Sequence, residues 1–223
     1  MPDLLLEVVA GPEELARRGA NFVAERAREA AREHGRFTFA VSGGTTPWAM
    51  FGDLGAEDVP WEHVELFQVD ERVAPRGDPD RNLTHLEASL PEDRSGGPTI
   101  HAMPVEDDDL EAAAERYAAE LPKRFDLVHL GLGPDGHTAS LVPGDPVLDI
   151  ADRAVGLTQE YNGRRRMTLT YPALSRADEV MWLIAGTDKV EALKKLSAGD
   201  ASIPGARVAA ARQVVFADRA AAG

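Results

Sequence analysis

One histidine of this chain, His137, stands two residues after a carboxylate, Asp135, in the glycine-rich run Gly131-Leu132-Gly133-Pro134-Asp135-Gly136-His137-Thr138-Ala139-Ser140-Leu141. An imidazole can accept a proton near neutral pH, and a nearby carboxylate orients it and stabilises its charged form. The pair therefore reads as a general base with its orienting partner, delivered by the apolar run Phe125 to Leu130 and followed by a short helix. His34, His63, His85, His101 and His129 have no comparable setting and read as surface or packing residues. Gly131, Gly133 and Gly136 also fit the G-x-G-x-x-G dinucleotide fingerprint. The stretch after them is cut short by Pro143 and Pro146, and no second strand ends in an acid at the required distance, so no dinucleotide is expected.

A second chemical signal is Ser42-Gly43-Gly44-Thr45-Thr46-Pro47, after the strand-like run Phe37 to Val41. Two glycines let the backbone fold tightly and present N–H groups, Thr46 suits an N-cap, and Pro47 suits a first helical residue. A helix N-terminus with hydroxyl donors holds a phosphate without a net charge, although a well-capped turn would look the same. The Gly-Lys-Ser/Thr ending of a nucleotide loop is missing, so no nucleoside triphosphate is implied. Asp70-Glu71-Arg72, with Asn82 beyond a turn-rich stretch, puts three charges at the end of the run Val64 to Val69. They suit the orientation of sugar hydroxyls or, alternatively, a surface salt-bridge cluster. Of the triplet Arg164-Arg165-Arg166, one member pointing inward would suffice as an anion clamp. Lys189, in a first helical turn, sits at the unfavourable end of a helix dipole unless an anion lies between, which makes it a candidate phosphate ligand. Asp70, Glu71, Asp135 and His137 show no recognised metal-ligand spacing, so the site is expected to be metal-free.

The elements that must position these residues alternate. A helix is expected from Gly11 to Gly35, with Pro12 near its start and a glycine stop. Strands follow at Phe37 to Val41, Val64 to Val69, Phe125 to Leu130, Val180 to Ala185 and Val214 to Ala217. Helical patterns lie between them at Pro47 to Leu54, Asn82 to Leu90, Leu110 to Leu121 and Lys189 to Leu196. This order predicts an α/β fold, a Rossmann-like, mostly parallel sheet with helices on both faces. Ligands of such sheets sit beyond the carboxyl ends of the strands, where the four signals fall. Glu92 to Gly97 and Pro143 to Pro146 are turn-rich but too short for interdomain linkers, so residues 1–223 read as one domain.

Composition narrows the function. A formal charge of −14 repels nucleic acid and anionic lipid surfaces, and makes any anionic ligand depend on local donors. The absence of cysteine excludes disulfides, thiolate nucleophiles and cysteine-bound metals. No apolar run approaches a membrane span, and Leu4 to Leu6 lacks the basic flank of a signal peptide. A cytoplasmic protein without membrane or nucleic-acid partners is expected, acting as a monomer or small homo-oligomer.

Together Ser42 to Pro47, Asp70-Glu71-Arg72 with Asn82, Leu130 to Leu141 with Pro143, Arg166-Met167-Thr168-Leu169-Thr170, and Gly186 with Lys189 resemble the 6-phosphogluconolactonases. The likeness spans nearly the whole chain. It implies the fold shared with glucosamine-6-phosphate deaminase and ribose-5-phosphate isomerase, no metal or organic cofactor, and hydrolysis of a phosphorylated sugar lactone in the oxidative pentose phosphate pathway. By the same resemblance Gly43, Gly44, Thr45, Thr46 and Lys189 would hold the phosphate, and His137 would be the base. Asp135, Asp70 and Arg72 would orient that base and the sugar ring, and Arg166 would help with the phosphate or the carboxylate product. The loop departs slightly in reading Gly-Gly-Thr-Thr-Pro, where the family often has serine or arginine after the glycines. A sugar-phosphate isomerase-deaminase would carry a glutamate where this chain has Val142 and a tyrosine where it has Arg72. A non-catalytic sugar-phosphate sensor is the alternative from another class.

Overall fold

Phe37 to Val41 and Phe125 to Leu130 are apolar almost throughout, which suits strands covered on both faces. In the computed structural model, which describes residues 4–90 and 96–223, every residue of the first run and all but Asp126 of the second are buried. The turn-rich stretch at Glu92 to Gly97 lies largely outside the described residues. In chain order the strands are β1 (Leu4–Val9), β2 (Phe37–Val41), β3 (Val64–Gln68), β4 (Asp70–Arg72), β5 (Thr99–His101), β6 (Phe125–Leu130), β7 (Val155–Leu157), β8 (Arg166–Leu169), β9 (Ala177–Ile184) and β10 (Arg212–Asp218). The helices are α1 (Pro12–His34), α2 (Thr45–Leu54), α3 (Asn82–Ser89), α4 (Leu110–Glu120), α5 (Tyr171–Leu174), α6 (Val190–Ser197) and α7 (Arg219–Ala222).

Seven strands form one parallel sheet in the order β1-β10-β9-β6-β2-β3-β5. Alternation along each strand gives the sheet two cores. Phe39 and Phe216 face α1 and α2 with Phe22 and Phe51, whereas Val128 and Trp182 face the other layer with Tyr117 of α4 and Leu193 of α6. Each such buried side chain contributes roughly 1.5–3 kcal/mol of transfer free energy. α1 ends as its glycine predicts: Gly35 takes φ 81, and its N–H donates to the Ala31 carbonyl.

Two expectations are corrected. Asp70-Glu71-Arg72 does not merely trail from a strand; after Val69 it forms β4, the edge of a separate antiparallel sheet in the order β4-β8-β7. No short helix follows His137 either. Residues 131–142 are successive turns, and the next helical turn is the 3₁₀ segment Pro146–Asp149. Left-handed backbone at Gly136, Ala139 and Gly144, with φ 81, 49 and 81, is incompatible with helix there.

Candidate active site

The strand order reverses between β2 and β6. From β2 the sheet runs through β3 to β5, and from β6 it runs the other way through β9 and β10 to β1. Connections leaving the two central strands diverge at such a reversal and open a crevice beyond their carboxyl ends. A cleft of about 410 Å³ lies there, walled by the loop after β2, the turns after β6, Asp70, Arg72, Arg166 and Lys189. Of the residues to which the family resemblance gives a role, only Asp135 is off its wall.

The loop after β2 begins helix α2 earlier than its sequence suggests. The N-cap is Gly44, with φ 130, and the helix starts at Thr45, so Thr46 is not the cap and Pro47 is the third helical residue. Glycine tolerates that φ where threonine would not, and proline is accepted in a first turn because its missing N–H has no intrahelical partner. The Thr45 and Thr46 N–H groups remain unpaired within the helix. No side chain caps this start, and its first turn carries no acid. From below, Ser42 donates its N–H to His129 Nδ1 at 3.3 Å and its hydroxyl to the His129 carbonyl at 3.2 Å. Burial pushes the His129 pKa down to about 3, so its ring is a neutral acceptor. The histidine read as packing is thus also the floor of the anion loop.

Strand alternation sorts the three charges of β4. Glu71 is fully buried, and its carboxylate accepts the N–H groups of Arg72, Asn82 and Leu83 and the Gln68 side chain, each at 2.8 Å. Two of those N–H groups open α3, so Glu71 caps a helix eleven residues away. The surface salt-bridge alternative is thereby set aside. Asp70 accepts the Ser140 hydroxyl at 2.5 Å. Arg72 donates to the Asn82 Oδ1 at 2.8 Å and the Asp80 carbonyl at 2.7 Å. The Asn82 carboxamide lies so close to Gly43 that a Cβ there would overlap it. Charged strand and anion loop are therefore packed as one unit.

Arginine 166 is the inward member of its triplet. Arg164 is paired with Asp78 and Asp80 at 3.1 and 3.0 Å, and Arg165 is exposed. Arg166 is buried opposite Arg72 in the β4–β8 register. The Nε atoms of both arginines are buried without a hydrogen-bond partner among the described residues. Burial, and then the neighbouring Arg72, push the Arg166 pKa below its ordinary value, against the pull of Asp70. Two adjacent guanidinium groups with unused donors at one cleft make a place for an anion.

At the end of β6 the His137 Nδ1 lies 2.5 Å from Asp135 Oδ1, which also accepts the His137 N–H at 3.1 Å. Partial burial opposes the charge on Asp135, but these bonds from His137 prevail and hold its carboxyl below the usual range. The carboxylate accepts Nδ1–H, so the imidazole lone pair resides on Nε2. Gly133 is required because a Cβ there would overlap the His137 ring, and Gly136 because it has φ 81. The fingerprint glycines thus shape a turn around a histidine and are not followed by the helix that a dinucleotide site needs.

Lys189 ends a 3₁₀ turn, Thr187–Lys189, directly before α6, where the first turn of an α-helix was expected. The Gly186 φ of 101 turns the chain into this segment. The Lys189 ammonium meets Asp188 at 2.8 Å, and both residues line the cleft. Among the described residues no three histidine, aspartate or glutamate side chains gather as a metal site. No described helix is long and apolar enough to cross a membrane. Ser140, Tyr161 and the role of His129 were missed from sequence; the Asn162-Gly163 dipeptide was the available signal for a hairpin beside Tyr161.

The chain is similar to several known proteins. A 6-phosphogluconolactonase of Synechocystis is 35% identical over 212 residues, covering 88% of this chain and 86% of its own. One from Caulobacter vibrioides is 33% identical, covering 82% and 84%. The solved 6-phosphogluconolactonase of Thermotoga maritima superposes with a TM-score of 0.87 at 25% identity, over 97% of this chain and 100% of that one. A monomeric glucosamine-6-phosphate deaminase shares the fold with a TM-score of 0.85 at 18% identity, over 98% of each chain. Residues 10–216 match the family described as glucosamine-6-phosphate isomerases/6-phosphogluconolactonase, and the chain belongs to it.

Proposed function

We propose that the protein hydrolyses 6-phospho-D-glucono-1,5-lactone to 6-phospho-D-gluconate, the second step of the oxidative pentose phosphate pathway. The observation that carries this reading is the 2.5 Å contact of Asp135 with the His137 Nδ1 on a cleft that also holds an uncapped helix start and two arginines with unused donors. A proton acceptor and an anion site together suit a phosphorylated ester.

In this reading the N–H groups of the Gly43 to Thr46 loop, with Lys189, take the phosphate. Nε2 of His137 takes a proton from water as its oxygen attacks C1. The oxyanion is stabilised by the cationic donors of the cleft, Arg72 and Arg166. The C1–O5 bond then breaks, the ring oxygen recovers a proton from the imidazolium, and the product acid releases its remaining proton to solvent and stays as a carboxylate beside Arg166. Asp70 orients the sugar through its neighbourhood with Ser140 and Asn82. A strained lactone needs positioning and acid–base help rather than a covalent intermediate. An isomerase-deaminase would need a carboxylate where the buried, apolar Val142 stands.

The test is turnover of freshly prepared lactone by the purified protein and by His137→Asn, with spontaneous hydrolysis subtracted. The variant is expected to fold and to lose roughly 10² to 10⁴ in kcat. Near-normal turnover by folded His137→Asn would reject the assignment of the base. An inactive wild type would reject the function.

A further inference from the structure

One side chain that touches both His137 and Arg166, Tyr161, has been given no role so far. Tyr161 lies in the connection between β7 and β8, where its backbone pairs with Arg164 across the turn Asn162-Gly163, at 2.9 Å and 3.4 Å. Both turn residues have positive φ, 52 and 77, the conformation of the tight hairpin turn whose twist matches its strands. Arg164 ties the same turn to Asp78 and Asp80. The hairpin tip is therefore stiff, and it holds the Tyr161 ring in place.

That ring touches two functional groups. The Arg166 guanidinium carbon lies 5.0 Å from its centroid, and the His137 ring meets it edge to face, with centroids 5.9 Å apart and planes at 65°. Among the described residues Arg166 has no carboxylate within ion-pair distance, so the aromatic face and the Ser140 hydroxyl, which accepts from its guanidinium at 3.5 Å, are the close partners of its buried charge. His137 is fixed in tautomer by Asp135, but a single bond at Nδ1 leaves the ring free to tilt. Gly133 limits that motion at the Nδ1–Cε1 edge, and Tyr161 supplies the second contact. No hydrogen bond to the tyrosine hydroxyl is found among the described residues, so the ring itself makes these contacts.

We propose that Tyr161 is a positioning residue for the hydrolytic step, its aromatic ring coupling the His137 imidazole to the Arg166 guanidinium so that base and cation meet the lactone carbonyl in fixed register. The inference rests on the lactonase reading above. It adds a residue that touches neither the phosphate loop nor Lys189, so its loss should act on kcat rather than on KM.

The experiment compares Tyr161→Ala, Tyr161→Leu and Tyr161→Phe with the wild type, each checked for folding by thermal unfolding. The phenylalanine variant should stay within about threefold of wild type, because it keeps the aromatic face. Alanine and leucine should lose roughly ten- to a hundredfold in kcat, the cost of a misplaced acid–base group, with KM for the phosphorylated lactone little changed. Leucine preserves bulk, so it remains informative if alanine does not fold. Independently of turnover, the His137 imidazole resonance, assigned by its loss in His137→Asn, should broaden or split in the leucine variant and stay single in the phenylalanine variant. Full kcat with a single sharp resonance in Tyr161→Leu would overturn the proposal while leaving the lactonase reading intact. Equal losses in phenylalanine and leucine would also overturn it, by moving the effect to the hydroxyl. An inactive wild type would remove both readings.

Discussion

Two long helices, α1 and α2, each follow a strand of the parallel sheet and each start after a glycine, yet their starts are finished differently. α1 carries Glu13 and Glu14 in its first turn, and the Glu14 carboxylate accepts the Ala10 N–H at 2.7 Å. Its positive dipole end is answered by its own sequence. α2 has no acid in its first turn and no side-chain cap, and it opens on the cleft at the reversal of strand order. The same peptide dipole is neutralised away from the cleft and left open where the fold makes a crevice. The information lies in what the second helix omits, since a capping carboxylate at Thr45 or Thr46 would occupy the place that the proposed function gives to the phosphate.

Three substitutions probe this contrast, in order of expected effect. Gly43→Ala should break the open start most severely, because the new Cβ overlaps the Asn82 carboxamide and must displace either the loop or the Arg72 contact. A displacement near 1 Å costs about a hundredfold in rate. Steady-state kinetics beside a circular dichroism spectrum like that of the wild type would check it, and unchanged kcat/KM would mean that the loop does not hold substrate. Lys189→Ala leaves the helix start in place but removes a cation that lines the same cleft. It should lower kcat/KM for the phosphorylated lactone by roughly ten- to a hundredfold and scarcely alter the slow turnover of glucono-δ-lactone, since charge-assisted hydrogen bonds are worth about 1.5–3 kcal/mol. Equal losses on both substrates would detach the lysine from the phosphate. At the closed start, Glu14→Gln should reduce stability by about 0.3–1 kcal/mol in chemical denaturation and leave activity unchanged. An effect on kcat/KM would show that the two starts are not independent.

How far the molecule could be read from its sequence followed the range of the interactions. β2 and β6 are covered on both faces, so their apolar runs declared them, and glycine marked the end of α1 by local geometry alone. The second sheet was hidden because Asp70-Glu71-Arg72 looks like a charged loop until it pairs with Arg166 to Thr168, far along the chain. Strand alternation, which buries Glu71 and selects Arg166 from three arginines, cannot be assigned until that register is known. The Thr46 cap failed for a subtler reason: threonine has the better capping side chain, but the φ required at the start of α2 belongs to glycine. Asp135 and His137 were legible because they share one short turn. Tyr161 was not, since its ring meets His137, 24 residues earlier in the chain, only through the fold.

The sheet's edge also sets a clock. β1 pairs within the described sheet with β10 alone, Leu4 against Gln213 through Val9 against Asp218. On a ribosome the strand emerges first and its neighbour about two hundred residues later, an interval of roughly 10–40 s at ordinary rates of synthesis. Throughout that time Leu5, Leu6 and Val8, which remain 65%, 42% and 48% exposed even in the folded protein, belong to a strand with unsatisfied backbone edges. The cleft assembles the Ser42 loop against a histidine 87 residues on and draws its last wall from Lys189. The cleft is therefore complete only once Lys189 has been made, and the edge strand gains its one described partner only when β10 follows.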